Sequence, residues 1–117
     1  MPQSAPGSVQ DSLGALAVKV TGARVARAGD IVLRLSGKGG GTYRLACGHK
    51  EVRVTETADV SVRPLIEVIG DAATVQAVLD GKVDARKQFL AGGIRIRGDL
   101  QYLSDLALEL GLLKDPL

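Results

Sequence analysis

Between Asp30 and Thr55 apolar and polar residues alternate almost one for one, and glycine twice interrupts the alternation. Ile31, Leu33 and Leu35 alternate with Val32, Arg34 and Ser36. Tyr43, Leu45 and Cys47 then alternate with Thr42, Arg44 and Ala46, and Val52 and Val54 with Glu51, Arg53 and Thr55. A period of two suits a strand with one covered face, because a slip of one residue would turn the whole apolar row into water. Gly37-Lys38-Gly39-Gly40-Gly41 and Gly48-His49-Lys50 supply the turns. The segment therefore predicts a three-stranded antiparallel meander, oily on one side and polar on the other. Three strands cannot bury that oily side alone, so the rest of the chain must cover it.

The later sequence supplies both the cover and more sheet. A fourth strand is expected over 64–69, with Pro64 at its first or edge position. Asp71 is placed to cap a helix over 72–80 that carries Val75, Val78 and Leu79 on one face and ends at Gly81. Asp84 caps a short helix with Phe89 and Leu90, stopped by Gly92-Gly93. Ile94-Arg95-Ile96-Arg97 reads as a fifth strand. Gly98-Asp99 then opens a last helix striped by Leu100, Leu103, Leu106, Ala107 and Leu110, and widened by Leu108, Leu112 and Leu113. Upstream, Leu13, Leu16, Ala17 and Val20 recur at helical spacing over 11–20, with a strand over 15–20 as the alternative. The start, 1–10, is rich in Pro, Ser and Gly, lacks the pattern of a secretory signal, and is expected to be flexible. The expected fold is α+β: a five-stranded, mostly antiparallel sheet with helices covering one face, as a single domain over 11–117. At 117 residues, 45% of them apolar, the chain can bury one core.

Composition removes most catalytic and metal chemistry. One cysteine and one histidine give neither a disulfide nor a zinc site without carboxylates. Cys47 is expected to point into the core and His49 to sit at a turn tip, which separates the one thiol–imidazole pair. The run ending Gly40-Gly41-Thr42 lacks the Gly-Lys-[Ser/Thr] of a phosphate loop and leads into a strand rather than a helix, so it is a hairpin turn. Asp71, Asp84 and Asp99 are explained as helix caps. No metal, cofactor or catalytic group is expected, and the chain is not read as an enzyme. A net charge of +2 does not call for nucleic acid. The polar sheet face collects Arg34, Arg44, Arg53, Arg95 and Arg97 against Glu51 and Glu67, without stacking aromatics. Lys82, Arg86 and Lys87 form a second basic cluster, and a transient contact with an anionic membrane stays open. The expected location is the cytoplasm.

The stretch Ile69-Gly70-Asp71-Ala72-Ala73, then Val78-Leu79-Asp80-Gly81-Lys82-Val83-Asp84, then Lys87 through Leu100 with its Gly93-Ile94-Arg95-Ile96-Arg97-Gly98-Asp99 core, resembles the sterol carrier protein 2 (sterol-transfer) family. Gly40-Gly41-Thr42-Tyr43-Arg44-Leu45 fits the same pattern, with Tyr43 where the family often has tryptophan. The resemblance covers residues 11–113 and is most specific over 69–100. It implies a non-enzymatic carrier with an apolar tunnel between sheet and helices for a fatty acid, acyl-CoA, phospholipid or sterol-like ligand. Val75, Val78, Leu79, Phe89, Leu90, Leu103, Leu106 and Leu110 match the tunnel walls. An empty tunnel of roughly 300 Å³ would cost about 7 kcal/mol, against a typical domain stability of about 5–15 kcal/mol. Either a ligand fills such a space or the helices close on it. The alternative is an accessory domain that binds a partner protein, or a second copy as a homodimer, through its leucine-rich helical surface.

Overall fold

The computed structural model describes residues 9–24, 27–48, 52–56 and 63–115. Helix α1 (Val9–Thr21) leads into β1 (Gly29–Ser36), β2 (Gly41–Cys47) and β3 (Val52–Glu56). Then follow β4 (Ile66–Asp71), α2 (Ala72–Leu79), α3 (Ala85–Ala91), β5 (Ile94–Gly98) and α4 (Leu100–Leu110). The strands form one sheet in the order β3-β2-β1-β4-β5. All neighbours are antiparallel except β1 and β4, which run parallel.

Register follows the apolar rows. Ile31 lies opposite Leu45 on one side and Ile66 on the other, and Leu33 opposite Tyr43 and Val68. These side chains share the helix-covered face with Val54, Ile94 and Ile96. Leu13 and Val20 of α1, Val75 and Val78 of α2, and Tyr102 and Leu106 of α4 close over them. The meander, the helix layer and the two-layer α+β architecture are those the sequence implies.

Three local differences have physical causes. Helix α1 begins at Val9, inside the segment expected to fray, because Val9 and Leu13 sit one turn apart and are both buried. Strand β4 starts at Ile66, two residues after Pro64 and shifted toward Asp71. Pro64 has no N–H for a ladder, whereas the Leu65 N–H already donates to the Asp30 carbonyl at 2.7 Å. Val32, assigned to the polar face, does lie there, between Arg44 and Glu67 in a cross-strand row, yet it is fully buried. His49, Lys50 and Glu51 lie outside the described residues.

Candidate apolar site

A cavity of about 120 Å³ lies between the helix layer and the sheet. Its floor is the inward row of the sheet: Ile31 and Leu33 of β1, Val68 of β4, and Ile94 and Ile96 of β5. Leu16 and Val20 of α1 close one side, and Val75, Val78 and Leu79 of α2 another. Leu103, Leu106, Ala107 and Leu110 of α4, with Leu112 and Leu113 beyond it, form the roof, and Ala85 completes the wall. Every lining residue among those described is aliphatic, so they bring no acid, base or nucleophile to the cavity. It offers only dispersion and exclusion of water to whatever enters.

Of the eight residues singled out in the sequence, Val75, Val78, Leu79, Leu103, Leu106 and Leu110 come together on this cavity. Phe89 and Leu90 do not. Helix α3 turns Ala85 inward, and Leu90, five residues on, lies about 140° round the helix from it. Leu90 is accordingly 66% exposed, and α3 buries none of its residues fully. The strand residues and α1 had been legible as core rows; their share in one cavity depends on how the layers meet and left no local mark.

Beside the cavity is a polar, partly open vestibule of about 250 Å³, bounded by the α2–α3 turn and the residues after α4. It shares Val78 and Leu112 with the cavity and adds Lys82, Val83, Asp84 and Lys114. Both borders are made by a glycine in the left-handed region. At Gly81 (φ 77°) α2 stops, with the Lys82 N–H donating to the Ala77 carbonyl at 2.8 Å. At Gly111 (φ 80°) α4 stops, with the Leu112 N–H donating to the Ala107 carbonyl at 2.9 Å. This closing geometry uses up the last carbonyls of each helix and throws the chain sideways.

The opposite end of α4 is held by polar contacts. Asp99 caps it by accepting the Tyr102 N–H at 2.9 Å, and pairs with Arg27 at 3.1 Å. That backbone hydrogen bond, and then Arg27, hold the Asp99 carboxyl below the usual carboxylate range. The Arg27 guanidinium also stacks 4.5 Å from the Tyr102 ring centroid, and its backbone N–H donates to the Tyr102 hydroxyl at 3.1 Å. Ser12 donates to Asp80 at 2.7 Å, tying α1 to the end of α2. Cys47 is buried, and burial, with the Asp30 charge second, pushes its thiol up. Among the described residues no cluster of His, Cys, Asp and Glu could hold a metal ion. No helix among them is long and apolar enough to cross a membrane.

Residues 11–108 match the model of the SCP-2 sterol transfer family. The chain belongs to that family. Solved structures agree on the fold. The sterol carrier protein domain 2 of Helicoverpa armigera superposes with a TM-score of 0.68 at 16% identity, covering 100% of both chains. Palmitated SCP2L2 from Aedes aegypti gives 0.64 at 18% identity, over 88% of this chain and 94% of that one. The apo form of sterol carrier protein 2 from Yarrowia lipolytica gives 0.60 at 20% identity, over 97% and 96%. No curated protein sequence matches the chain. The resemblance drawn from residues 69–100 is thus a family membership, and the SCP-2 fold extends it over the meander and α1.

Proposed function

We infer that this SCP-2 domain binds and carries an apolar ligand, without chemistry, in the space between its sheet and helices. The observation that carries the reading is the wholly aliphatic cavity roofed by α4. The family's sterol-transfer description and the palmitated relative from Aedes aegypti support a lipid as the cargo. Each methylene moved from water into such a space gains roughly 0.8 kcal/mol before ordering costs. At about 120 Å³ the cavity costs the fold far less than an empty tunnel of roughly 300 Å³ would. A long chain therefore enters by displacing part of the helix layer.

The accessory-domain alternative has less to stand on. The α4 leucines that would make its surface, Leu103, Leu106 and Leu110, are turned onto the cavity. Among the described residues of α4 only Leu100 is a large exposed apolar side chain, at 42%.

Native mass spectrometry of protein from its expression host, followed by organic extraction, tests the carrier reading. A co-purified lipid, or palmitate taken up at one per chain, is expected; a folded Leu106→Arg variant loses it. A mass unchanged after palmitate and cholesterol are both offered refutes the reading.

A further inference from the structure

The sheet has a second face, and it is arginine-rich. Register places Arg53 of β3 in a row with Asp30 of β1, and Arg44 of β2 in a row with Val32, Glu67 and Arg97. Arg34 of β1 shares a third row with Ile69 and Arg95. Among the described residues, five arginines stand against Glu67, Asp30 and, beside Ser36 at the end of β4, Asp71, which leaves this face a net charge of +2. No lysine stands among them in these rows. With strands about 4.8 Å apart, the charge spreads over roughly 19 Å from β3 to β5.

The arginine heads are held in position. Glu67 pairs with Arg34 and, at 3.8 Å, with Arg97, while Asp30 pairs with Arg44 at 3.1 Å. Both carboxylates are only 13–15% exposed, whereas Arg34, Arg44 and Arg97 keep 46%, 43% and 74% of their side chains in water. The part-buried acids therefore orient the guanidinium groups without masking them, which lowers the entropy lost when a partner engages them. Arg53 and Arg95 are also exposed, at the two flanks.

We propose that this face docks an acidic protein surface, one presenting aspartate and glutamate carboxylates to the arginine rows. Guanidinium forks match carboxylates two bonds at a time, and protein interfaces enrich arginine while they deplete lysine. A nucleic-acid platform would carry stacking aromatics, and none of the described residues of this face is aromatic. A bilayer is served worse, because the face lies across the sheet from the cavity and would hold the cavity away from the membrane. A protein docked here leaves the helix layer uncovered, so docking and cargo exchange occupy opposite sides of the sheet. The partner surface carries net negative charge and the contact is salt-sensitive and reversible.

A labelled glutamate-rich helical peptide is the probe, with binding read by fluorescence anisotropy over a series of salt concentrations. The Arg53→Glu/Arg95→Glu double variant leaves three arginines against five acids, a net −2. Its expected effect is at least a tenfold loss of peptide binding, with palmitate uptake, where wild-type protein shows it, unchanged. The Lys82→Glu/Lys87→Glu variant, altered on the helix side, keeps wild-type binding. Circular dichroism confirms that both variants fold. No peptide binding at low salt, or equal loss in both variants, overturns the proposal. Tighter binding to phosphatidylserine vesicles or to duplex DNA than to the peptide overturns the choice of an acidic protein. Because uptake of palmitate is read separately, failure of the docking face and failure of the carrier reading are distinct results.

Discussion

Filling the cavity separates a ligand site from a packing defect. An unfilled space of about 120 Å³, at roughly 24 cal/mol per Å³, costs the fold on the order of 3 kcal/mol. Ala107 lines it from α4 and is only 8% exposed. Leucine there adds three carbons, worth about 0.8 kcal/mol each when buried, less up to about 1 kcal/mol of side-chain ordering. Helix propensity hardly changes. Ala107→Leu is therefore expected to gain about 1 kcal/mol, raising Tm by roughly 4 °C in a thermal melt. The same variant should lose palmitate uptake by native mass spectrometry. Higher stability with lower uptake is the mark of a site kept empty at a cost. A stabilised variant that still loads palmitate as the wild type does would refute the assignment of this cavity. A variant that is destabilised would show that the space is already closed to a side chain.

Other outcomes follow from single residues. Gly98 has a φ of 106°, and a Cβ there would collide with the Leu65 carbonyl, so Gly98→Ala should cost more than about 2 kcal/mol in urea unfolding. Gly14 in α1 has nothing within 4 Å of a built Cβ, so Gly14→Ala should instead gain about 0.5–1 kcal/mol in the same assay. Asp99 has a lowered pKa in the fold, so its contribution is complete above the unfolded value near 4 and disappears as pH falls through the folded one. Asp99→Asn should lower Tm at neutral pH and flatten the acid limb of a Tm-versus-pH curve; an unchanged limb would count against the cap. Buried Cys47, with its raised thiol pKa, should react with a thiol reagent at neutral pH only after denaturant is added.

What could be read from the sequence is what depends on neighbours along the chain. The alternation of Ile31, Leu33 and Leu35, and of Tyr43, Leu45 and Cys47, placed those side chains on the covered face, because period two leaves only one face for them. Asp71, Asp84 and Asp99 each accept a backbone N–H of the helix they begin, as their positions implied. The parallel pairing of β4 with β1 was not legible, since nothing local in either strand distinguishes a neighbour in space from one in sequence. Leu90 lies off the cavity for a related reason. Its apolarity matched the family's wall, but a seven-residue helix with Ala85 turned inward cannot present Leu90 to the same side. The parts of the cavity contributed by α1 and the strands belong to the meeting of layers, which no single stretch encodes.

Under the carrier reading proposed above, capacity and closure are linked, and the link predicts where a cargo would enter. Engineered cavities of about 150 Å³ admit a ring the size of benzene, so about 120 Å³ accepts no whole acyl chain. The floor cannot yield cheaply, because Ile31, Leu33 and Val68 belong to strands laddered on both sides. The start of α4 is also fixed, by Asp99, Arg27 and the Asp99 N–H donating to the Leu65 carbonyl at 3.0 Å. By contrast α3 buries no residue fully, and the vestibule beside it shares the walls Val78 and Leu112 with the cavity. Segments with few buried contacts open at the lowest free energy. Amides over 82–91 and 111–115 are therefore expected to exchange hydrogen faster than those of β1, and to be the ones whose exchange changes most on loading with palmitate. If loading instead alters exchange chiefly at β2 and β3, the chain enters elsewhere and the vestibule is only a surface groove.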